Sequence, residues 1–550
     1  VPDALNQNFD DLQHQFYHAW FRFHPEEAVS IGQQGFAGLL RAYGDDDIGA
    51  LTSLLQKMHS ALDELDQDGL SPDRVTDYEL MKAAVSVECH DLQELDWRYR
   101  NPLPYVPVQA VNQLLIHPIP ELETAITQRL QTIPQYLRGA RGFLSQQPAR
   151  VVPIWLQSAV QQSEIGAGFV RSLGRHPLLA GKLTSPASLQ PLLDDAAHAL
   201  EDFARFLQRE IAHRAAGDFA VGEDRFNRLL RERHGLDVGA KTLLAFGQRL
   251  FDATEAELKA QAARMEPGAG IDSLLDRIKR QHPQPAQLLD AYRKRMRAAR
   301  LWLSEHDLVT LPAHESLHIQ ETPAFLRPLI PFAAYEPPGP VDAEQRGLYY
   351  VTTPDQENLL AEHNRYSIDL TSVHESYPGH HLQFVTANSQ HADNITRLIH
   401  ASASMYEGWA LYCEDLMHEH GFLNEDAHRF IMLRDRLWRA LRVIIDVSIQ
   451  TRGMSLGDAA ELMVDKLGFE RQQADAELAW YTTEPTIPLC YATGYELIKA
   501  VREYQQSRSG FDQKTFHDAL LREGSIALPL VIKTAFGEQA WRYAREKVFS

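Results

Sequence analysis

Apolar residues spaced three and four apart run through most of this chain, and that spacing restricts it to a helical architecture. Leu5, Phe9, Leu12, Phe16 and Trp20 form one such stripe at the start, and residues 77–97 and 186–215 carry the same period. Pro102, Pro104, Pro107, Pro118 and Pro120 interrupt the chain between them, because a proline has no N–H to give a helix and its ring strikes the preceding turn. Residues 1–305 therefore read as long helices. Residues 311–354 differ: they are rich in proline and hold short alternating runs at 314–321 and 347–353, the pattern of a small antiparallel β element. From about residue 368 the helical period returns and persists nearly to Ser550, with breaks at Gly453, Gly468 and residues 485–488. The expected fold is mainly α, a large single helical body with a deep central cleft. A single domain over 1–550 is expected, with a helical N-terminal half, 1–305, and a C-terminal half, 306–550, that bears the metal motifs.

A formal charge of -20 and the absence of a long basic run exclude a nucleic-acid surface, which draws on Lys and Arg. Cys89, Cys413 and Cys490 are far apart and lack C-x-x-C spacing, so neither a disulfide framework nor a cysteine zinc cluster is expected. No apolar stretch approaches the ~20 residues that span a bilayer, and no membrane insertion is expected. The start at Val1 fits both loss of an initiator Met and a signal segment cut away, which leaves the compartment open between cytoplasm and periplasm.

Two segments match metal-binding patterns. His314-Glu-Ser-Leu-His318 is a formal H-E-x-x-H, a motif that works only on a helix, where both imidazoles share one face. Here it sits between Pro312 and Pro323 with a two-residue alternation. On a strand His314 and His318 lie about 13 Å apart, too far to share one ion, so the segment reads as a surface strand with two solvated histidines. The second is His374-Glu-Ser-Tyr-Pro-Gly-His-His-Leu-Gln383, followed by a helix with Glu407-Gly-Trp-Ala-Leu-Tyr-Cys-Glu414. On a straight helix His380 would lie about 120° round from His374 and about 9 Å along the axis. Pro378 and Gly379 therefore predict a break that swings His380 back toward His374. His381 is the weaker second choice as ligand. Glu407 supplies the third ligand of a two-His, one-Glu zinc site, one Zn2+ per chain. Glu375, next to the first ligand, is placed for a general base, with an ion-paired helix carboxylate as its bland alternative. Glu414, two turns beyond Glu407, orients a ligand or is a solvated or structurally paired carboxylate.

These paired motifs resemble the bacterial domain-of-unknown-function 885 family, whose members carry H-E-x-x-P-G-H-x-x-Q and then E-G-W-A-x-Y-x-E. Further segments resemble the same family: residues 222–236, Tyr349-Tyr350, Leu441-Arg442 leading to Asp446, residues 491–494 and residues 524–529. The resemblance implies a helical fold similar to carboxypeptidase Taq and the angiotensin-converting enzymes, with a gluzincin-type zinc site. It also makes Tyr491, in the turn after residues 485–488, the candidate oxyanion donor, with simple packing beside that turn as its alternative. Gln450 stands where the family commonly has His, and Trp480 where Arg is frequent.

The expected activity is zinc-dependent hydrolysis of peptide bonds in short peptides, with Glu375 and Tyr491 catalytic and His374, His380 and Glu407 holding the metal. Arg442 is a candidate anchor for a substrate carboxylate, or else a structural partner of Asp446. Hydrolysis of a small non-peptide amide and an inert binding module are the other readings.

Overall fold

The structure is a computed structural model that describes residues 2–179, 186–327, 330, 332–354 and 357–550. Helices dominate, as the periodicity predicts, and the chain divides into two compact units.

The first unit comprises Val1–Phe219 with Pro323–Pro328 and Gly339–Asp342. Its opening helix, Pro2–Trp20, buries Phe9, Phe16 and Trp20 of the predicted stripe. Leu122–Gln146 and Pro153–Ser172 both pack against Pro186–Phe206, each presenting an apolar stripe to a common core.

The second unit comprises Ala220–Thr322, Leu329–Pro338 and Ala343–Ser550. Ten of its elements surround the sequence motifs. In chain order they are α1 (Leu288–His306), β1 (Ser316–Glu321), β2 (Ala333–Glu336), β3 (Arg346–Val351), α2 (Arg365–Glu375), α3 (His380–His391), α4 (Ala403–Glu419), α5 (Asp426–Thr451), α6 (Arg471–Thr483) and α7 (Cys490–Gln506).

The β element lies where the alternation places it, but its pairing is mixed rather than wholly antiparallel. Strand order is β1-β3-β2: β2 pairs antiparallel with β3, and β1 pairs parallel with it in the register Ser316 to Arg346. The reason is the short strand β2, hidden among the prolines of residues 323–340. It adds a reversal between the two visible runs and so turns the first parallel to the third. Central β3 is buried along most of its length, and Ile319, Tyr349 and Val351 close a core with Leu288 and Tyr292 of α1 and Ile368 of α2. The sheet thus backs the helix that ends at the metal motif.

Two helix features fix the motifs. Asn364 caps α2 by accepting from Ser367 N, and α2 stops at Glu375. Further on, α4 and α7 cross backbone to backbone. A Cβ on Gly408 would come within 2.6 Å of Gly494 Cα, and one on Gly494 within 2.1 Å of Ser404 O, so both positions need glycine. That crossing brings Glu407 of α4 beside Tyr491 in the first turn of α7.

No helix among the described residues is long and apolar enough to cross a membrane. All three cysteines are free, with Cys413 and Cys490 buried and Cys89 half-buried.

Candidate metal centre

The predicted break falls between α2 and α3. The Tyr377–Pro378 peptide is cis, and Gly379 N donates to Val373 O at 3.1 Å, six residues back instead of four. A Cβ on Gly379 would sit 1.8 Å from His374 O and 2.4 Å from Val373 O, so only glycine lets the chain fold back this tightly. Trp409 of α4 donates from Nε1 to Pro378 O at 2.8 Å and ties the break to the helix that carries Glu407.

Folding back places His380 beside His374, with ring centroids 4.9 Å apart and the planes nearly perpendicular. Glu407 Oε2 lies 3.5 Å from Nε2 of His374 and 3.5 Å from Nε2 of His380. All three ligand atoms lie within 4.8 Å of one another and are buried.

The donor set fits a zinc ion. Ligands at ~2.0–2.1 Å in a tetrahedron are about 3.3–3.4 Å apart, close to both edges that Glu407 makes here. Glu407 Oε2 is buried without a hydrogen bond, an arrangement that costs free energy unless a cation or donor meets it. On the far side of His374, Nδ1 meets Glu414 Oε1 at 2.9 Å, the carboxylate–imidazole link that aims the opposite nitrogen at a metal. Glu414 is thus engaged with a candidate ligand rather than solvated.

The charges in this pocket are strongly coupled. Burial opposes a charge on His374, but Glu407 and Glu414 outweigh it and raise the imidazole to about 10. Burial likewise works against the Glu407 carboxylate, yet His380 and His374 hold it well below its ordinary range. On His374 a proton would compete with any cation held between these three side chains. Glu375 is half-buried, and burial, opposed by His374 and His380, raises its carboxyl, the direction a general base near neutrality needs. At Tyr491, burial first and the neighbouring Glu407 carboxylate second push the phenol well above its usual range, so it stays protonated and able to donate. Tyr335, Phe384 and Tyr406 wall the His380 ring at 6.0–6.3 Å.

His381 faces away from this cluster. Its Nε2 meets Glu315 Oε2 at 2.8 Å and its Nδ1 meets the Tyr335 hydroxyl at 3.0 Å. His314 and His318 are exposed, as expected of the strand segment, although His314 stands just before β1 with a φ of 58°. The residue between them was not foreseen as structural: the Glu315 side chain turns inward to His381, Tyr377 and Arg300 and so braces the break. Arg442 pairs with Glu477 and Tyr481, not with Asp446. Asp446 is buried and accepts from Thr486 N. Gln450 donates to Tyr481 O and accepts from Val221 N, a bracing role. Arg439 escaped the sequence reading; its position three residues before Arg442, on one face of α5, is the signal that marks it.

No curated protein matches this chain. Two solved structures, each of a "putative lipoprotein", share the fold. The one from Shewanella oneidensis, of unknown function, has a TM-score of 0.77 at 21% identity and covers 95% of this chain and 98% of its own. The one from Colwellia psychrerythraea has a TM-score of 0.82 at 16% identity and covers 96% and 98%. The profile of a bacterial protein family of unknown function, DUF885, matches residues 25–534. The match takes in almost the whole chain, including both metal motifs, the sheet and α7, and the chain therefore belongs to the DUF885 family.

Proposed function

We propose that the chain is a zinc-dependent hydrolase that cleaves peptide bonds in short peptides. The observation that carries this reading is the meeting of His374, His380 and Glu407 within 4.8 Å, with Glu407 Oε2 left without a hydrogen bond and His374 held from behind by Glu414. The helical fold and gluzincin-type site, like those of carboxypeptidase Taq, that the DUF885 resemblance implies support the choice of a peptide over another amide.

His374, His380 and Glu407 would hold the ion, which when bound supplies a Lewis acid for water and the scissile carbonyl. Glu375 takes a proton from the attacking water and delivers it to the departing amine nitrogen. Tyr491, protonated and beside Glu407, donates to the developing oxyanion. Glu414 fixes the tautomer and direction of His374.

The test is hydrolysis of a peptide panel, alongside small non-peptide amides, by zinc-loaded protein and by Glu375→Gln. The variant is expected to keep its metal and lose about 10²- to 10⁴-fold in kcat. Full turnover by Glu375→Gln would refute the role of Glu375, and turnover of the non-peptide amides alone would refute the substrate class.

A further inference from the structure

Two guanidinium groups stand on one face of α5 beside Tyr491. Arg442 is only 5% exposed, and its Cζ lies 4.5 Å from the Tyr491 ring centre, 4.3 Å from Trp438 and 5.2 Å from Trp480. Its Nε donates to the Tyr481 hydroxyl and its Nη2 to Glu477, which leaves Nη1 buried without an acceptor. Arg439 lies over Trp438 at 4.2 Å and 5.7 Å from the Tyr491 ring, and its Nε and Nη1 are buried and also lack an acceptor. Among the described residues Arg439 forms no ion pair, whereas Arg436 on the same helix is paired with Asp415. Its charge reaches Glu414, but that carboxylate is already engaged by His374.

A buried donor without an acceptor calls for a physical explanation, and a bound acceptor is one that two neighbouring guanidinium groups beside the cluster would share. Three such donors from two guanidinium groups, set among the partly exposed rings of Trp438, Trp480 and Tyr491, match the oxygens of a carboxylate arriving from solvent. Glu477 offsets part of the Arg442 charge, and Arg439 is the less compensated of the two. Tyr491 connects this pair to the cluster, because its ring lies against both Arg442 and Arg439 while the Glu407 carboxylate is close enough to perturb its hydroxyl. An extended peptide advances ~3.3–3.6 Å per residue, so with one Tyr491 side chain between the arginines and Glu407 a carboxylate held there belongs to a residue near the scissile bond.

We propose that Arg439 and Arg442 form a subsite for the free C-terminal carboxylate of the substrate, so that hydrolysis removes one or two residues from the C-terminus of a short peptide. The proposal rests on the hydrolase reading above. In the reaction the oxygen of water bonds to the acyl carbon, the C–N bond breaks, and the proton from water goes to the released amine. An amide in place of the terminal carboxylate presents N–H donors to guanidinium donors, a mismatch that the subsite rejects.

The experiment compares N-acetylated di- and tripeptides with a free C-terminal carboxylate against their C-terminal amides. Binding is measured by calorimetry on zinc-loaded Glu375→Gln protein, and cleavage on the unaltered enzyme. The free acids are expected to bind about 10- to 100-fold more tightly than the amides, the loss that goes with a charge-assisted hydrogen-bonded pair. Adding Arg439→Met should bring the ratio toward one while zinc content and circular dichroism stay unchanged. Equal binding of acids and amides, binding of neither, or a ratio that survives Arg439→Met would overturn the subsite. The comparison of acid with amide needs no arginine substitution, so it decides even if Arg439→Met fails to fold. Acids that bind through Arg439 but are not cleaved would sink the hydrolase reading and leave the subsite standing; cleavage indifferent to amidation would do the reverse.

Discussion

Gly379→Ala is the smallest change that should dismantle the metal centre. The added Cβ would lie 1.8 Å from His374 O, against the 3.0 Å below which real Cβ contacts essentially never fall, so the backbone must give by more than an ångström. The obstacle is backbone of the residue that carries the first ligand, and it cannot swing aside as a flexible side chain would. Overpacking of a tight site costs about 1–3 kcal/mol, and this case belongs at the upper end. Metal–ligand distances tolerate only about 0.2 Å, so separating His374 from His380 by that much should also lower zinc affinity by at least the ~10- to 100-fold seen when only an outer partner is lost. The assay is zinc competition against a chelator, with thermal unfolding of apo and loaded protein alongside. Gly457→Ala is the control, since its Cβ meets nothing nearer than Ser455 Oγ at 3.6 Å and lies within a helix, where alanine gains up to ~0.5–1 kcal/mol over glycine. A Gly379→Ala protein with unaltered stability and zinc affinity would refute the reasoning.

Two further perturbations probe the surroundings. Glu414→Gln removes the charge behind His374 while keeping its shape, and zinc affinity should fall about 10- to 100-fold in the same competition assay; no change would mean that Glu414 is not orienting the ligand. Glu315 tests the brace by pH: burial works against its carboxylate, but His381, Tyr377 and Arg300 outweigh it and push the group from 4.5 down to about 2. A folded-state value below the unfolded one stabilises above the unfolded value and is lost as pH falls through the folded one. Up to about 3 kcal/mol should therefore disappear between pH 4.5 and 2 in the wild type, and Glu315→Gln should flatten that stretch of the denaturation-versus-pH curve. Parallel curves for the two proteins would exclude the brace.

Local chemistry made much of this site legible. Pro378 forbids a continuous helix and Gly379 permits the fold-back, so the break between α2 and α3, with His380 returning to His374, follows from two residues. The alternation that argues against a helical H-E-x-x-H likewise leaves His314 and His318 exposed. What stayed hidden depends on partners distant in the chain. Periodicity says that Glu315 is flanked by outward histidines, but not that His381, 66 residues on, waits beneath it. Helical spacing offered Asp446 to Arg442, whereas the real partner, Glu477, comes from another helix 35 residues away. The four-residue strand β2 is too short to show a period, and without it the sense of the β1–β3 pairing cannot be read. Gly408 and Gly494 show the same limit, since each glycine is ordinary alone and only their crossing explains both.

The account turns on metal content. Elemental analysis of purified protein after reconstitution and exhaustive dialysis, run beside His374→Ala, His380→Ala, Glu407→Ala and the exposed-site control His314→Ala, is the most direct measurement. About one zinc per chain in the wild type and in His314→Ala, with loss in each of the other three, is the predicted result. Zinc lost with His314→Ala but kept without His374, or no zinc in the reconstituted wild type, would contradict it.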